Sequence, residues 1–511
     1  MTDWTSGYVA DIGYTFGYYP ELSPLRARLL LLNAGLALPQ EGAACELGFG
    51  QGVSTNIHAA ASASDWHGTD FNPSQAAFAR ELAASHGGAA KLHDQSFAEF
   101  CTRTDLPDFD YIGLHGIWSW ISDENRSIIV DFLRRKLKVG GILYISYNTQ
   151  PGWSAMLPVR SLLTRHAEIM TAPGAGVVAK VDNAIAFAHK LWAVNPAFAR
   201  ANPGVGEKLK AIEAQDRHYV AHEYFNRDWL PMSIAEMADW LETAKLDFAC
   251  SATPLDHIAS LHLSAEQNAL LAELPDPVFK QSVRDFMVNQ QFRRDYWIKG
   301  PRTLNTLERT EQLLQQRLVM TTSPAEVSMT VKGMLGEANM SEKLYRPLLQ
   351  LMADYRPRTL KEIEEALRDL HLNVNQLTEC ALVLADKSAL AAAQDDAAIA
   401  ACRPHTDQLN RKLIEQARGG PGVPFLASPV TGGALFVSRF QQLFLLALAQ
   451  GKKLPSDWAD YAAALLKLQR QAILKGGVAL QGDEENLAEL QRQASAFDTE
   501  RLPVLRALGI A

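Results

Sequence analysis

The chain has 511 residues, with 49 Lys and Arg against 57 Asp and Glu and a formal net charge of -8. That balance leaves no overall basic footprint for nucleic acid, and a hydrophobic content of 47% excludes a chain disordered along its length. At roughly 150 residues per domain, the length predicts about three domains.

In chain order, residues 1–10 lack both a basic n-region and an apolar h-region, which predicts a cytoplasmic protein. From residue 43 to about 147, short apolar runs alternate with helical stretches, the pattern of βαβ units feeding a parallel sheet. Strands are predicted over 43–47, 66–70, 109–114 and 141–146, with a weaker one near 90–93. Residues 155–170 and 181–193 then carry helical periodicity on either side of Pro173-Gly174-Ala175-Gly176, which predicts a helical insertion. Between 218 and 300 come a helix over 233–244, an apolar run over 246–250 and a helix over 277–290, a region able to return a strand to the sheet.

The remainder reads as mostly helical. Thr359 and Glu362 make a capping box ahead of residues 360–370, and the mixed charge signs there predict a solvated face rather than a nucleic-acid surface. The longest apolar stretch, 443–449, is far short of the ~18 residues a membrane span needs and reads as a buried helix. Cys45, Cys101, Cys250, Cys380 and Cys402 show no C-x-x-C spacing and read as small buried apolar residues.

The run Glu46-Leu47-Gly48-Phe49-Gly50-Gln51-Gly52-Val53 lies between a predicted strand and a predicted helix. Its glycines let backbone approach a ligand without a Cβ in the way, ahead of a helix start with free N–H groups. A P-loop would place Lys after its last glycine, but Val53 follows Gly52. The dinucleotide fingerprint wants a small third residue where Val53 again stands, which leaves a nicotinamide enzyme as a remote alternative. Asp70 ends the next strand, where a carboxylate suits ribose hydroxyls.

This E-x-G-x-G-x-G loop followed by Asp70 resembles class I S-adenosylmethionine-dependent methyltransferases. The resemblance implies a Rossmann-like α/β domain and cofactor contacts from Glu46, Gly48, Gly50, Gly52, and Asp70 with Phe71. Adenine contacts would come from Asp94, Ser96 and Phe97 after the third strand, and His115 and Trp118 would sit where the family's substrate-facing motif meets the methyl group. The sequence there, Leu114 to Trp120, is not Asn-Pro-Pro-Tyr, which argues against nucleobase or glutamine acceptors.

Tyr14 to Pro24, Tyr147 to Trp153, His222 to Asn226 and Asp285 to Asp295 are similar to bacterial methyltransferases carrying a methyltransferase regulatory domain. Relatives of that group methylate lysines of outer-membrane proteins. The resemblance implies a cofactor domain over 1–160, a helical, dimerising insertion over 161–217, a regulatory middle domain over 218–300 and a mostly helical domain over 301–511. It implies S-adenosyl-L-methionine as cofactor, no metal, a homodimer, and a protein acceptor met before export.

A lysine acceptor must lose a proton before attack, so groups able to take it are expected near the methyl. His222, Glu223 and Tyr224 are the candidates. His218 and His222 stand at metal-ligating helical spacing but lack a third ligand, so surface or hydrogen-bonded histidines are the plainer reading; Glu223 serves equally as a local cap. Tyr14, Tyr18 and Tyr19 suit either an N-terminal lid over the cofactor or packing of the terminus on the sheet. The alternatives to a lysine enzyme are a small-molecule or glycan methyltransferase and a regulatory protein that binds cofactor without turnover.

Overall fold

The computed structural model describes residues 16–88, 90–172 and 174–511. Its centre is one sheet of β1 (Ala43–Leu47), β2 (Asp65–Asp70), β3 (Ala90–Asp94), β4 (Phe109–Leu114), β5 (Leu137–Asn148), β6 (Leu246–Ser251) and β7 (Phe292–Lys299). The order is β3-β2-β1-β4-β5-β7-β6. The first five strands pair in parallel, and β7 runs antiparallel between β5 and β6. This is the Rossmann-like α/β architecture expected from the alternation of strands and helices.

Helices α1 (Pro24–Asn33), α2 (Val53–Ala61), α3 (Pro73–Ser85), α4 (Phe97–Cys101) and α5 (Asp123–Lys136) cover the two faces. All six residues of β4 are buried, as expected of a parallel strand shielded on both sides, where side chains cannot alternate between core and water. Start signals are local: Ser23, Asn72, Ser96 and Ser122 each accept a backbone N–H of the first helical turn.

The segment over 218–300 returns two strands to the sheet, one more than its sequence suggested. β7 reads as polar at its start because Arg293 and Asp295 lie in it, yet both are buried. Arg293 donates to both oxygens of Asp295 and, at 2.6 Å, to Asp285, while the Tyr147 hydroxyl donates to Asp295 at 2.8 Å. Each charge therefore has a partner inside the protein, the condition under which ionised groups tolerate burial.

The insertion comprises α6 (Leu157–Ile169), α7 (Val177–Ala193), α8 (Ala197–Ala201) and α9 (Pro203–Glu213), followed by α10 (Arg217–Tyr224). Leu163, Val181, Ile185, Leu209 and Val220 give it a core of its own. The C-terminal region is mostly helical with short two- and three-stranded sheets, and Thr359 and Glu362 form the expected capping box. It packs on α1 and α2: Arg309 donates to Leu32 O at 2.9 Å and Gln394 to Ala61 O at 2.8 Å. Of the apolar stretch at 443–449, Leu443, Phe444, Leu445 and Ala447 are buried in helix Arg439–Ala449 while Ala449 is exposed, and all five cysteines are buried and free.

Candidate active site

Strand order reverses between β1 and β4, the place where open α/β sheets form a crevice beyond the carboxyl ends of their strands. A cavity of ≈ 530 Å³ opens there. Its floor is the glycine loop. Gly48 and Gly52 have φ of 76° and 66°, a left-handed conformation that disfavours any residue with a Cβ. A Cβ on Gly48 would come within 2.4 Å of Ile117, and one on Gly52 within 2.5 Å of the Ala79 Cβ on α3. Gly48 thus keeps the cavity floor flat, whereas Gly52 lets α2 start against α3.

Asp70 fastens two loops together, accepting from Gly50 N at 2.8 Å and from Asn72 N at 2.9 Å. Burial pushes its carboxyl up to about 6. Glu46, which accepts the Thr55 hydroxyl, is pushed by burial to about 7, with the Asp70 charge adding to the rise. Both carboxylates line the cavity, as do Glu223 and Asp228, and Arg294 is its cationic lining residue. Among the described residues, four acids to one base around this space favour a cationic occupant.

A strap ahead of α1 closes one side. The Tyr19 ring stacks on His115 at 3.6 Å with 20° between planes, and its backbone N donates to Ser54 Oγ at 2.9 Å. His115 Nδ1 lies 2.8 Å from the Tyr144 hydroxyl, and burial pulls its imidazole down to about 4, so the ring is neutral near pH 7.

The opposite wall comes from α10 and its neighbours: Trp120, Trp153, Tyr219, Glu223, Tyr224 and Asp228. Trp120 Nε1 donates to Glu223 O at 3.4 Å, Trp153 lies at 6.0 Å from Tyr224, and burial pushes the Glu223 carboxyl up to about 7. The Lys208 ammonium sits 3.5 Å from the Trp153 ring centroid, and desolvation pulls it down to about 8.

The family model described as "Predicted methyltransferase regulatory domain" matches residues 216–299. The uncharacterized protein sll1526 of Synechocystis is 35% identical over 99% of this chain and 100% of its own length. PKMT2 from Rickettsia typhi, solved in complex with AdoHcy, has a TM-score of 0.66 and 16% identity over 94% of this chain and 97% of that one. The structure of PKMT2 without that addition has a TM-score of 0.67 and 16% identity over 96% and 99% of the two chains. This chain belongs to the S-adenosylmethionine-dependent methyltransferases that carry a methyltransferase regulatory domain. The floor fits that cofactor: glycine backbone presented without a Cβ, Asp70 at the end of β2, and an acidic lining suited to a sulfonium.

Of the residues singled out from the sequence, the structure gathers Glu46, Gly48, Gly50, Asp70, Phe71, Ser96, Phe97, His115, Glu223 and Tyr224 around this one cavity. Five others stand elsewhere. Tyr18 lies beyond the cleft because the strap is extended, so consecutive side chains point opposite ways and it is Tyr19 that faces in; Tyr14 falls outside the described residues. Gly52 acts through helix packing, as above. Asp94 is exposed at the end of β3, and Gln95 follows it into the lining. Trp118 is fully buried, its Nε1 3.3 Å from Met232 Sδ and its ring against Trp240, so the wall expected of it is formed by Trp120. His222 is buried on the inner side of α10.

Asn148, Trp153, Asp228 and Arg294 also line the cleft and were not singled out. Asn148 and Trp153 lie within the Tyr147-to-Trp153 motif, a signal that pointed at them without saying which side chains face inward. Among the described residues, no group of three His, Cys, Asp or Glu stands close enough to share a metal ion, and no helix is long and apolar enough to cross a membrane.

Proposed function

We propose that this methyltransferase acts on the lysine side chains of a protein acceptor, before that acceptor is exported. The observation that carries the reading is the wall opposite the glycine loop, where the Glu223 and Asp228 carboxylates stand among Trp120, Trp153, Tyr219 and Tyr224. An ammonium group is attracted both to carboxylates and to aromatic faces. The Lys208 ammonium on Trp153 illustrates the preference in the chain itself.

S-adenosylmethionine supplies an electrophilic methyl on a sulfonium; the protein's part is alignment and proton removal. On this reading the backbone of Gly48 and Gly50 lies beneath the methionine portion, and Asp70 with Phe71 holds the ribose. Ser96 and Phe97 take the adenine side, with Gln95 in the position the sequence assigned to Asp94. Glu223, with a carboxyl near 7, is anionic for much of the time at neutral pH and takes the proton from the lysine ammonium. Tyr219 and Tyr224 flank the acceptor chain.

Incubating the full chain with methyl-labelled S-adenosylmethionine and a fractionated bacterial lysate, then hydrolysing labelled protein, yields methyl-lysine on this account. Label confined to small-molecule or glycan fractions overturns the lysine acceptor, and absence of label in the presence of measurable cofactor binding favours a non-catalytic protein.

We further propose that the insertion forms a homodimer contact. Ile169, Met170 and Val194, exposed by 62%, 70% and 73%, support this.

A further inference from the structure

A second cavity of ≈ 580 Å³ lies between α1, the strap and the C-terminal region. Among the described residues, it shares no lining residue with the cofactor cleft. Leu29, Leu30, Leu318, Leu382, Leu390 and Leu435 give it an extended apolar wall. Among the described residues, Arg26, Lys387 and Arg501 are its cationic groups and Glu326 is its sole acidic lining residue.

The charges are unevenly used. Lys387 donates to Thr330 O at 2.7 Å, and Arg501 donates to Thr321 O and Phe436 O, each at 2.9 Å. Glu326 is exposed and caps its own helical turn with Ser323. Among the described residues, Arg26 has neither a side-chain hydrogen bond nor a close ion pair, although the Asp386 carboxylate feels its charge, and its Nε is buried; the buried Thr431 Oγ1 beside the cavity also lacks a hydrogen-bond partner. A buried guanidinium nitrogen left without an acceptor is costly. An acceptor with negative charge removes that cost, and the leucine wall takes an apolar body.

We infer that this cavity is a second binding site for a small amphipathic anion, a carboxylate or phosphate head on an apolar body, and that its occupancy is coupled to cofactor binding. The head meets Arg26 and Thr431. Coupling runs through the strap, because Tyr18 lines this cavity while its neighbour Tyr19 lines the cofactor cleft and stacks on His115. The Tyr18 ring is wedged between His58 of α2, at 5.3 Å, and Phe425 of the C-terminal region, at 5.5 Å. A ligand that shifts this ring moves the residue next to it.

Titration calorimetry on the full chain tests both parts, with decanoate, decyl phosphate and decanol as probes. The site predicts one-to-one binding of at least one anionic probe and binding of decanol at least tenfold weaker. The preference between decanoate and decyl phosphate identifies the head group. Arg26→Gln weakens the anion at least tenfold while its melting temperature and its affinity for S-adenosylhomocysteine without probe stay as in the parent. Ala391→Phe, which fills the space from the short strand Leu390–Ala392, abolishes binding of both anions. Saturating anion changes the affinity for S-adenosylhomocysteine, and saturating S-adenosylhomocysteine changes that of the anion by the same factor, as linkage requires. Equal binding of decanol, undiminished binding by Arg26→Gln, or no binding of either anion overturns the site; an unchanged S-adenosylhomocysteine affinity overturns the coupling.

Discussion

Glu46 and Asp70 share one problem: both are carboxyls taken out of water next to each other, with pKa values raised to about 7 and about 6. A bound sulfonium favours their ionised forms, so affinity for S-adenosylmethionine should rise, on the order of tenfold, as pH climbs from about 5 to about 8. S-adenosylhomocysteine lacks that charge and should rise less, and parallel pH profiles for the two ligands would contradict the assignment. Glu223, with its carboxyl also near 7, gives a kinetic counterpart. In the proposed role the base is its deprotonated form, so single-turnover transfer should increase through pH 7 in the parent, and Glu223→Gln should lower it by about 10²–10⁴-fold and flatten that limb. Gly52→Ala tests packing instead. Its φ of 66° and the Ala79 Cβ 2.5 Å away should destabilise the fold by at least about 1–2 kcal/mol, read from denaturant unfolding.

At the level of elements, the glycine loop and the parallel strands were legible because their signals are local: an apolar run, a glycine turn, a capped helix. The strand β7 was not. Its Phe292-Arg293-Arg294-Asp295 start looks like surface sequence, and only the tertiary pairing of Arg293 with Asp285 and Asp295 makes it central. The same gap explains the site residues. Spacing located the strap and the Trp118-Ser119-Trp120 turn, but whether Tyr18 or Tyr19, and Trp118 or Trp120, faces the cleft depends on the local backbone direction and on Met232 and Trp240 filling the other side. Arg293→Met leaves two buried carboxylates facing each other and should cost about 3–5 kcal/mol, measured by chemical denaturation. Loss of less than about 1 kcal/mol would show that the network does not hold β7 to β5.

Across the whole molecule, the segment matched by the regulatory-domain model completes the sheet and lines one wall of the cleft, through Tyr219, Glu223, Tyr224 and Asp228, the wall proposed to receive the acceptor. The proposed dimer predicts that sedimentation velocity finds a particle of twice the chain mass, and that Ile169→Glu with Met170→Glu returns it to the monomer; a monomeric parent would contradict it. The acceptor is tested by measuring labelled methyl transfer into a bacterial protein fraction before and after acetylation of its lysines, which removes their nucleophilic amines. The lysine reading predicts strong labelling of the untreated fraction and its loss after acetylation. Equal labelling of both fractions would contradict it.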